Sequence, residues 1–407
     1  MFLILIFGAL TGIALLCLVF LLPTTPMHQH VKDSAYVFSI EGEYPSLDGS
    51  SSKLLDNYTD ALMLGGAIFN KKESSLLEKA MNVYHPQYDD SFPTYSLLAY
   101  TDDHDGIYAG SYSRYWHGYL VFLKPLLLVI DYLQFRTVNR LFLPCLVLVI
   151  LAVLVKRDQK KMILPFLAAV FFLRPSAVAF SLQNSTIFYI SMISVLIIAL
   201  CRDQLKKNNR FLFYFLILGI LTNYLDFLTY PIATLGISAV MWLTCYTDAS
   251  LVEKIRGILA NSVSWAFGYF GMWIAKWTAA SLLLDQNVFQ DALQQALFRT
   301  SNSVFGSYFT RWDAIYKNIS IGFGRIEWLT VLLFGSALLY GIWACHFRLK
   351  QFLLHGIPYL LVCLMPFVWY GVLQNHSFIH PLFTYRSLVV FVFAFLSMGF
   401  TARADQT

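Results

Sequence analysis

The chain has 407 residues, of which 57% are hydrophobic and only 13% charged, against roughly 25% charged in ordinary soluble domains. With a mean hydropathy of +0.59, this excludes a soluble globular protein, a nucleic-acid binder and a disordered chain, and points to a multi-pass membrane protein. The net charge of +5 says less than where individual Lys and Arg residues stand.

Phe2–Leu22 is an unbroken apolar run, about as long as the roughly 20 residues that cross a bilayer. No basic residue stands before His28, and the run ends in Leu-Leu-Pro-Thr-Thr-Pro rather than a small-residue cleavage site. It therefore reads as an uncleaved anchor helix over 1–22 rather than a signal peptide. Residues 23–137 form a long region with no cysteine over 23–117, so no disulfide framework is implied there. Further apolar runs lie near 138–155, 162–180, 186–201, 211–224, 228–245, 258–281, 328–345, 352–373 and 386–402. With the first they predict an all-α integral membrane protein of about ten transmembrane helices, the bundle occupying 138–407. As one helix, the run 211–246 would reach about 54 Å against a hydrocarbon core of about 30 Å. It is expected to fold back at Asn223-Tyr224-Leu225-Asp226 and Pro231. Gly118–Phe135 is apolar but holds Lys124, Pro125 and Asp131, and reads as a helix lying in or near the outer interface.

Basic residues in short loops set the orientation. Lys156 to Lys161, Arg202 to Arg210, Lys254 with Arg256, Arg348 with Lys350, and Arg403 alternate with charge-poor loops. Placing the basic set in the cytoplasm puts 23–137 on the other side as a large extracytoplasmic first loop. Acids, cations and aromatics then collect on that outer face, while the cytoplasmic loops carry charge that reads as topology signal. This asymmetry argues against a simple transporter, whose site would lie near the midplane between repeats.

Such a face suits a lipid-linked substrate. Cations at headgroup height would hold a phosphate, a carboxylate would take a proton from an acceptor hydroxyl, and aromatic rings would meet a sugar. The candidate cations are Arg114, Arg174, Lys276, Arg299, Arg311 and Arg386. Lys276 near a helix end is either functional or a lysine snorkelling outward. Asp56 and Asp60, at i and i+4, share a face if helical, and paired carboxylates raise one pKa, which suits a base. The competing reading is a helix cap ahead of Ala61-Leu62-Met63-Leu64. Asp226 is a site residue or a capped turn. Trp116, His117, Asn375, His376 and His380 are the candidates for sugar or acceptor binding.

An anchor helix, a large outer loop carrying Leu55-Asp56-Asn57-Tyr58-Thr59-Asp60, an interfacial stretch and a helix bundle together resemble the GT-C glycosyltransferases. The segments Tyr115-Trp116-His117-Gly118-Tyr119, Asp226-Phe227-Leu228-Thr229-Tyr230-Pro231 and Asn375-His376-Ser377 through Tyr385-Arg386 are similar to those of bacterial cell-surface polysaccharide enzymes of that kind. The resemblance implies a sugar donor on a polyprenyl phosphate, and a glycan or lipid-linked acceptor. It implies a cell-membrane enzyme with an extracytoplasmic active site, in which a first-loop carboxylate acts as base. Asp56 stands farther from the first helix than is usual in that superfamily. A lipid-linked sugar flippase or transporter, and a non-catalytic subunit of a polysaccharide assembly complex, are the alternatives.

No Walker A, HExxH, GxSxG or GxGxxG pattern is present. Asp102-Asp103-His104-Asp105-Gly106 could hold a divalent cation, but reads more simply as a solvated acidic turn. No metal site and no other cofactor is assigned, and help from a divalent ion is left open.

Overall fold

The computed structural model describes residues 1–284, 286–304 and 306–403. The fold is all-α apart from two short antiparallel ribbons, His85–Gln87 (β1) with Tyr108–Gly110 (β2), and Ser303–Val304 (β3) with Ser307–Tyr308 (β4). The apolar anchor forms α1 (Phe2–Phe20). It is followed by α2 (Thr24–Glu41), α3 (Asn57–Ile68), α4 (Leu76–Asn82), α5 (Pro93–Thr101) and α6 (Leu120–Leu127). Met27, Val31 and Phe38 of α2 join Leu64 and Ala67 of α3 and Leu120 of α6 in a core that also takes in Leu182, Leu216, Ile220 and Met272 from later in the chain. The region after the anchor is thus a packed helical layer.

The bundle follows: α7 (Tyr132–Lys156), α8 (Ile163–Phe172), α9 (Pro175–Val178), α10 (Leu182–Lys206), α11 (Arg210–Leu225), α12 (Ile232–Cys245) and α13 (Leu251–Leu283). After α13 come α14 (Val288–Thr300), α15 (Arg311–Phe323), α16 (Glu327–Ala344) and α17 (Leu349–Val372). The chain closes with α18 (Gln374–Ile379), α19 (Pro381–Thr384) and α20 (Val389–Phe400). Capping boxes fix three helix starts, Asp131 with Gln134, Ser250 with Glu253, and Thr310 with Asp313. Apolar α20 lies at the centre, against α8, α12, α16 and α17.

By length and composition, six helical segments among the described residues could cross a bilayer, rather than ten. They are Phe2–Phe20, Tyr132–Lys156, Leu182–Leu225, Glu327–Ala344, Leu349–Val372 and Pro381–Phe400. Several expected boundaries shift for local reasons. The run 162–180 breaks after Phe172, and α8, at 10 residues, spans only about 15 Å. Leu182–Leu225 bends back at Lys207–Asn209, where Asn208 and Asn209 adopt positive φ. The expected turn before Pro231 is present, because α11 ends at Leu225 and α12 starts at Ile232. Gly118–Phe135 is not one helix: α6 ends at Leu127, and Asp131 caps the start of α7. Large apolar side chains face outward from α1, α16 and α17, among them Leu3, Phe7, Val331, Leu339 and Val368.

α11 and α13 touch backbone to backbone. A Cβ on Gly219 would stand 2.1 Å from the Trp265 carbonyl oxygen, and one on Gly268 2.3 Å from that of Leu216. Small residues at such crossings are how membrane helices gain packing without a hydrophobic driving force.

Candidate functional site

The loops after α11 and α17 and the starts of α3 and α10 converge at one end of the bundle. The cluster they form is buried and polar. Asp56 caps α3, accepting from the Thr59 amide at 3.0 Å through Oδ1. Burial first, and then the neighbouring Asp60, push its carboxyl up to about 7 against the opposing pull of the Thr59 bonds and of Arg386. Arg386 is fully buried. Its Nε donates to the Leu173 carbonyl at 3.2 Å and its Nη1 to that of Leu382 at 2.8 Å, while Nη2 makes no hydrogen bond. The guanidinium also lies 4.8 Å from the Tyr385 ring centroid.

Tyr230 links this group to Asp226. Its hydroxyl donates to the Asn184 carbonyl at 2.6 Å, and it lies within electrostatic reach of both Arg386 and Asp226. Asp226 caps its own turn, accepting from the Thr229 amide at 2.9 Å and its hydroxyl at 2.5 Å. Burial pushes the Asp226 carboxyl up to about 7, against those bonds. The amides of Asn184 and Asn223, Oε1 of Gln183 and the hydroxyls of Ser377 and Ser387 are buried and without hydrogen bonds.

A second cation sits on the Asp226 side. Arg299 donates to His376 Nδ1 at 2.6 Å and to the Tyr115 hydroxyl at 3.0 Å. His376 Nε2 in turn donates to the Leu228 carbonyl at 2.8 Å, a pattern that requires the neutral ring. Burial, then Arg299 and His380, hold that imidazole well below its usual range. His380 stacks on Phe383 and is lowered to about 4 by burial and Arg299. Arg114 Nη1 donates to both carboxylate oxygens of Asp291, at 2.9 and 3.2 Å. Arg114 and Arg299 stand at the polar end of a cavity of about 150 Å³ lined by Tyr115, Trp273, Trp277 and Trp369. Phe270 and Val372 of the same lining are half exposed on the apolar outside of the bundle.

A larger groove, of about 690 Å³, runs between α8, α16 and α20 on the Asp56 side. Its walls are apolar, and Lys53, Arg174 and Arg325 stand at its head with Asp48. Arg174 Nε donates to the Ser52 hydroxyl at 3.2 Å, and the Tyr385 hydroxyl donates to the Ser52 carbonyl at 2.6 Å. The head of this groove is thus separated from Arg386 by little more than Ser52, Leu173 and Tyr385. Three non-glycine residues around the cluster hold left-handed backbone, His117 (φ 56°), Arg174 (φ 56°) and Leu228 (φ 65°).

Other expected residues take different places. The Asp60 carboxylate accepts from the Tyr132 and Ser181 hydroxyls and from the amides of Leu182 and Gln183, so it anchors the first turn of α10. Lys276 does not snorkel outward. It is buried, donates to the Met81 carbonyl at 2.8 Å, and lies 5.5 Å from the Trp116 ring centroid. Trp116 is itself enclosed, with Tyr224 beside it and its Nε1 bonded to the Met272 carbonyl at 2.8 Å. His117 Nε2 donates to the Tyr112 carbonyl at 2.7 Å, and burial keeps its ring neutral. Asn375 Nδ2 binds the Ser301 hydroxyl and the Ser303 carbonyl, and its Oδ1 is buried without a hydrogen bond. Arg311 is exposed in the first turn of α15, apart from the cluster. Asp102 pairs with Lys32 at 3.1 Å, and among the described residues no three His, Cys, Asp or Glu side chains converge as a metal site.

One buried network was missed. Arg136 of α7 grips Glu41 of α2 at 2.8 and 3.0 Å and bonds Asn57 Oδ1 at 3.0 Å, next to Asp56. An arginine just inside an apolar run was the available signal. No family model, no curated protein and no solved structure matches this chain.

Proposed function

We propose that the chain is an integral-membrane glycosyltransferase that moves a sugar from a polyprenyl-phosphate carrier to a lipid-linked or glycan acceptor on the extracytoplasmic face. The observation that carries this reading is the buried Arg386, whose Nη2 makes no hydrogen bond, within electrostatic reach of the buried Asp56 carboxyl. Two apolar grooves that open on the outside of the bundle, each headed by cations, flank that cluster.

In this reading Asp56 is the base. Thr59 occupies Oδ1, and a carboxyl held near 7 is matched to proton abstraction at neutral pH. Both oxygens of Asp226 are engaged by Thr229, which suits a structural part for that residue in holding the Leu228 turn. The acceptor hydroxyl gives its proton to Asp56 while its oxygen attacks the anomeric carbon. The bond from that carbon to the phosphate oxygen breaks with inversion, and polyprenyl phosphate departs as the anion. Arg299, aimed by the neutral His376, and Arg114 would receive that charge at the head of the aromatic groove, where electrostatic stabilisation of the leaving group acts. The wider groove beside Arg174 would admit the lipid part of the acceptor, so a lipid-linked acceptor fits better than a free glycan.

The test is purified protein with radiolabelled polyprenyl-phosphate sugars and lipid-linked acceptors. Wild type is expected to transfer label, and Asp56→Asn to lose about 10²–10⁴-fold in rate. Undiminished transfer by the variant removes Asp56 from the role of base.

A further inference from the structure

At the end of the bundle opposite the candidate site, α10, α12, α13 and α17, with the α7–α8 connection and the segment after α20, leave a second polar cavity. It has a volume of about 300 Å³ and no part in the chemistry above. From Arg386 to Arg403 the chain passes along α20, which places the two sites about 25 Å apart. The cavity rim carries four cations from four different segments, Lys161, Arg202, Lys254 and Arg403. Asp158 is the single carboxylate in the lining, while just outside it Arg403 pairs with Asp248 and Arg202 with Asp203, which leaves the rim net positive.

The floor is polar although it lies inside the bundle. Gln159 is buried, its Nε2 donating to the Thr244 hydroxyl at 3.2 Å, while its Oε1 makes no hydrogen bond. The Thr401 hydroxyl lies 3.1 Å from the Tyr359 hydroxyl and 3.3 Å from His355 Nε2. Loop lysines and arginines that only set topology need nothing between them. Here they surround a recess whose floor offers hydroxyls, an imidazole and an open amide oxygen.

We propose that this cavity binds a phosphate group. The rim supplies net positive charge for the phosphate oxygens; the Thr401 hydroxyl donates to the Ser397 carbonyl at 2.6 Å, so the donors on the floor are Gln159 Nε2 and the Tyr359 hydroxyl. Gln159 Oε1 accepts from a hydroxyl of the ligand or from a protonated phosphate oxygen. A free phosphate or diphosphate and the headgroup of an anionic lipid present the same chemistry. The proposal does not depend on the glycosyltransferase reading.

The full-length chain in neutral detergent, with unfolding followed by tryptophan fluorescence, tests it in two arms. One adds inorganic phosphate or pyrophosphate against sodium chloride at equal ionic strength. The other adds phosphatidylglycerol against phosphatidylcholine in mixed micelles. A rise in melting temperature of about 3 °C at saturation is expected in at least one arm, and the responding arm names the source. Lys161→Gln combined with Arg202→Gln should weaken the apparent affinity at least about tenfold. Gln159→Leu and Tyr359→Phe, which keep every charge, should also weaken it, and Asp56→Asn should leave it unchanged. No shift in either arm overturns the proposal. So does a shift that follows the rim charges but ignores the floor, because that is unspecific screening. If the floor variants fail to fold, competition decides: pyrophosphate or phosphatidylglycerol must protect a cysteine placed at Asp158 from a maleimide, and absence of protection overturns the site.

Discussion

Arg386 is buried with two carbonyls as its hydrogen-bond partners and the Asp56 carboxylate beyond ion-pair distance, and its Nη2 makes no hydrogen bond. Shape matters there as much as charge. Arg386→Lys keeps the cation but loses the planar fork, so it is expected to reduce transfer by at least about tenfold, measured as kcat/KM with labelled donor. The raised carboxyl of Asp56 gives a pH signature. In the proposed reaction the ionised form is the base, so kcat/KM should climb as pH rises through about 7, and Asp56→Asn should remove that limb. The sign for stability is opposite. A carboxyl held above its unfolded value of 3.8 favours the fold while protonated, and that contribution fades as pH rises from about 4 through about 7. Melting temperature should therefore fall over this window, less steeply in Asp56→Asn. Asp60 behaves differently, since four donors depend on it. Asp60→Ala should destabilise by roughly 3 kcal/mol or more in denaturant unfolding, well beyond Asp56→Ala.

At the level of helices, the close crossing of α11 and α13 is the least forgiving contact. Gly219→Leu pushes a side chain into the Trp265 carbonyl and must move one helix. A loss of about 1–3 kcal/mol is expected, read as a lower melting temperature and reduced yield of monodisperse protein. Helix boundaries were legible where a single residue dictates them. Asp56, standing before Ala61-Leu62-Met63-Leu64, signalled a helix start, and a helix starts there. The break at Arg174 was also written in the chain. Proline at 175 disfavours helical backbone in the residue before it, and Arg174 turns left-handed. Apolar content masked that signal, because a window average over 162–180 weighs hydropathy and ignores one strained residue. The bend at Asn208 and Asn209 was hidden among charges that read as topology signal.

For the molecule as a whole, composition alone indicated the all-α character and the apolar exterior. What it could not supply was which distant residues meet. Asp56 and Arg386 come from opposite ends of the chain, and Arg299 on α14 finds His376 on α18 only because those two helices pack together. Sidedness is a whole-molecule property with its own test. In a cysteine-free background, Asp103→Cys should react with a membrane-impermeant maleimide in intact cells and Asp158→Cys should not; the reverse pattern would invert the orientation. The left-handed turns at His117, Arg174 and Leu228 bear on how this protein can change over generations. Each holds a conformation costing about 1–3 kcal/mol that the surrounding fold must absorb. Selection for heat tolerance alone should therefore favour glycine or asparagine at these three positions.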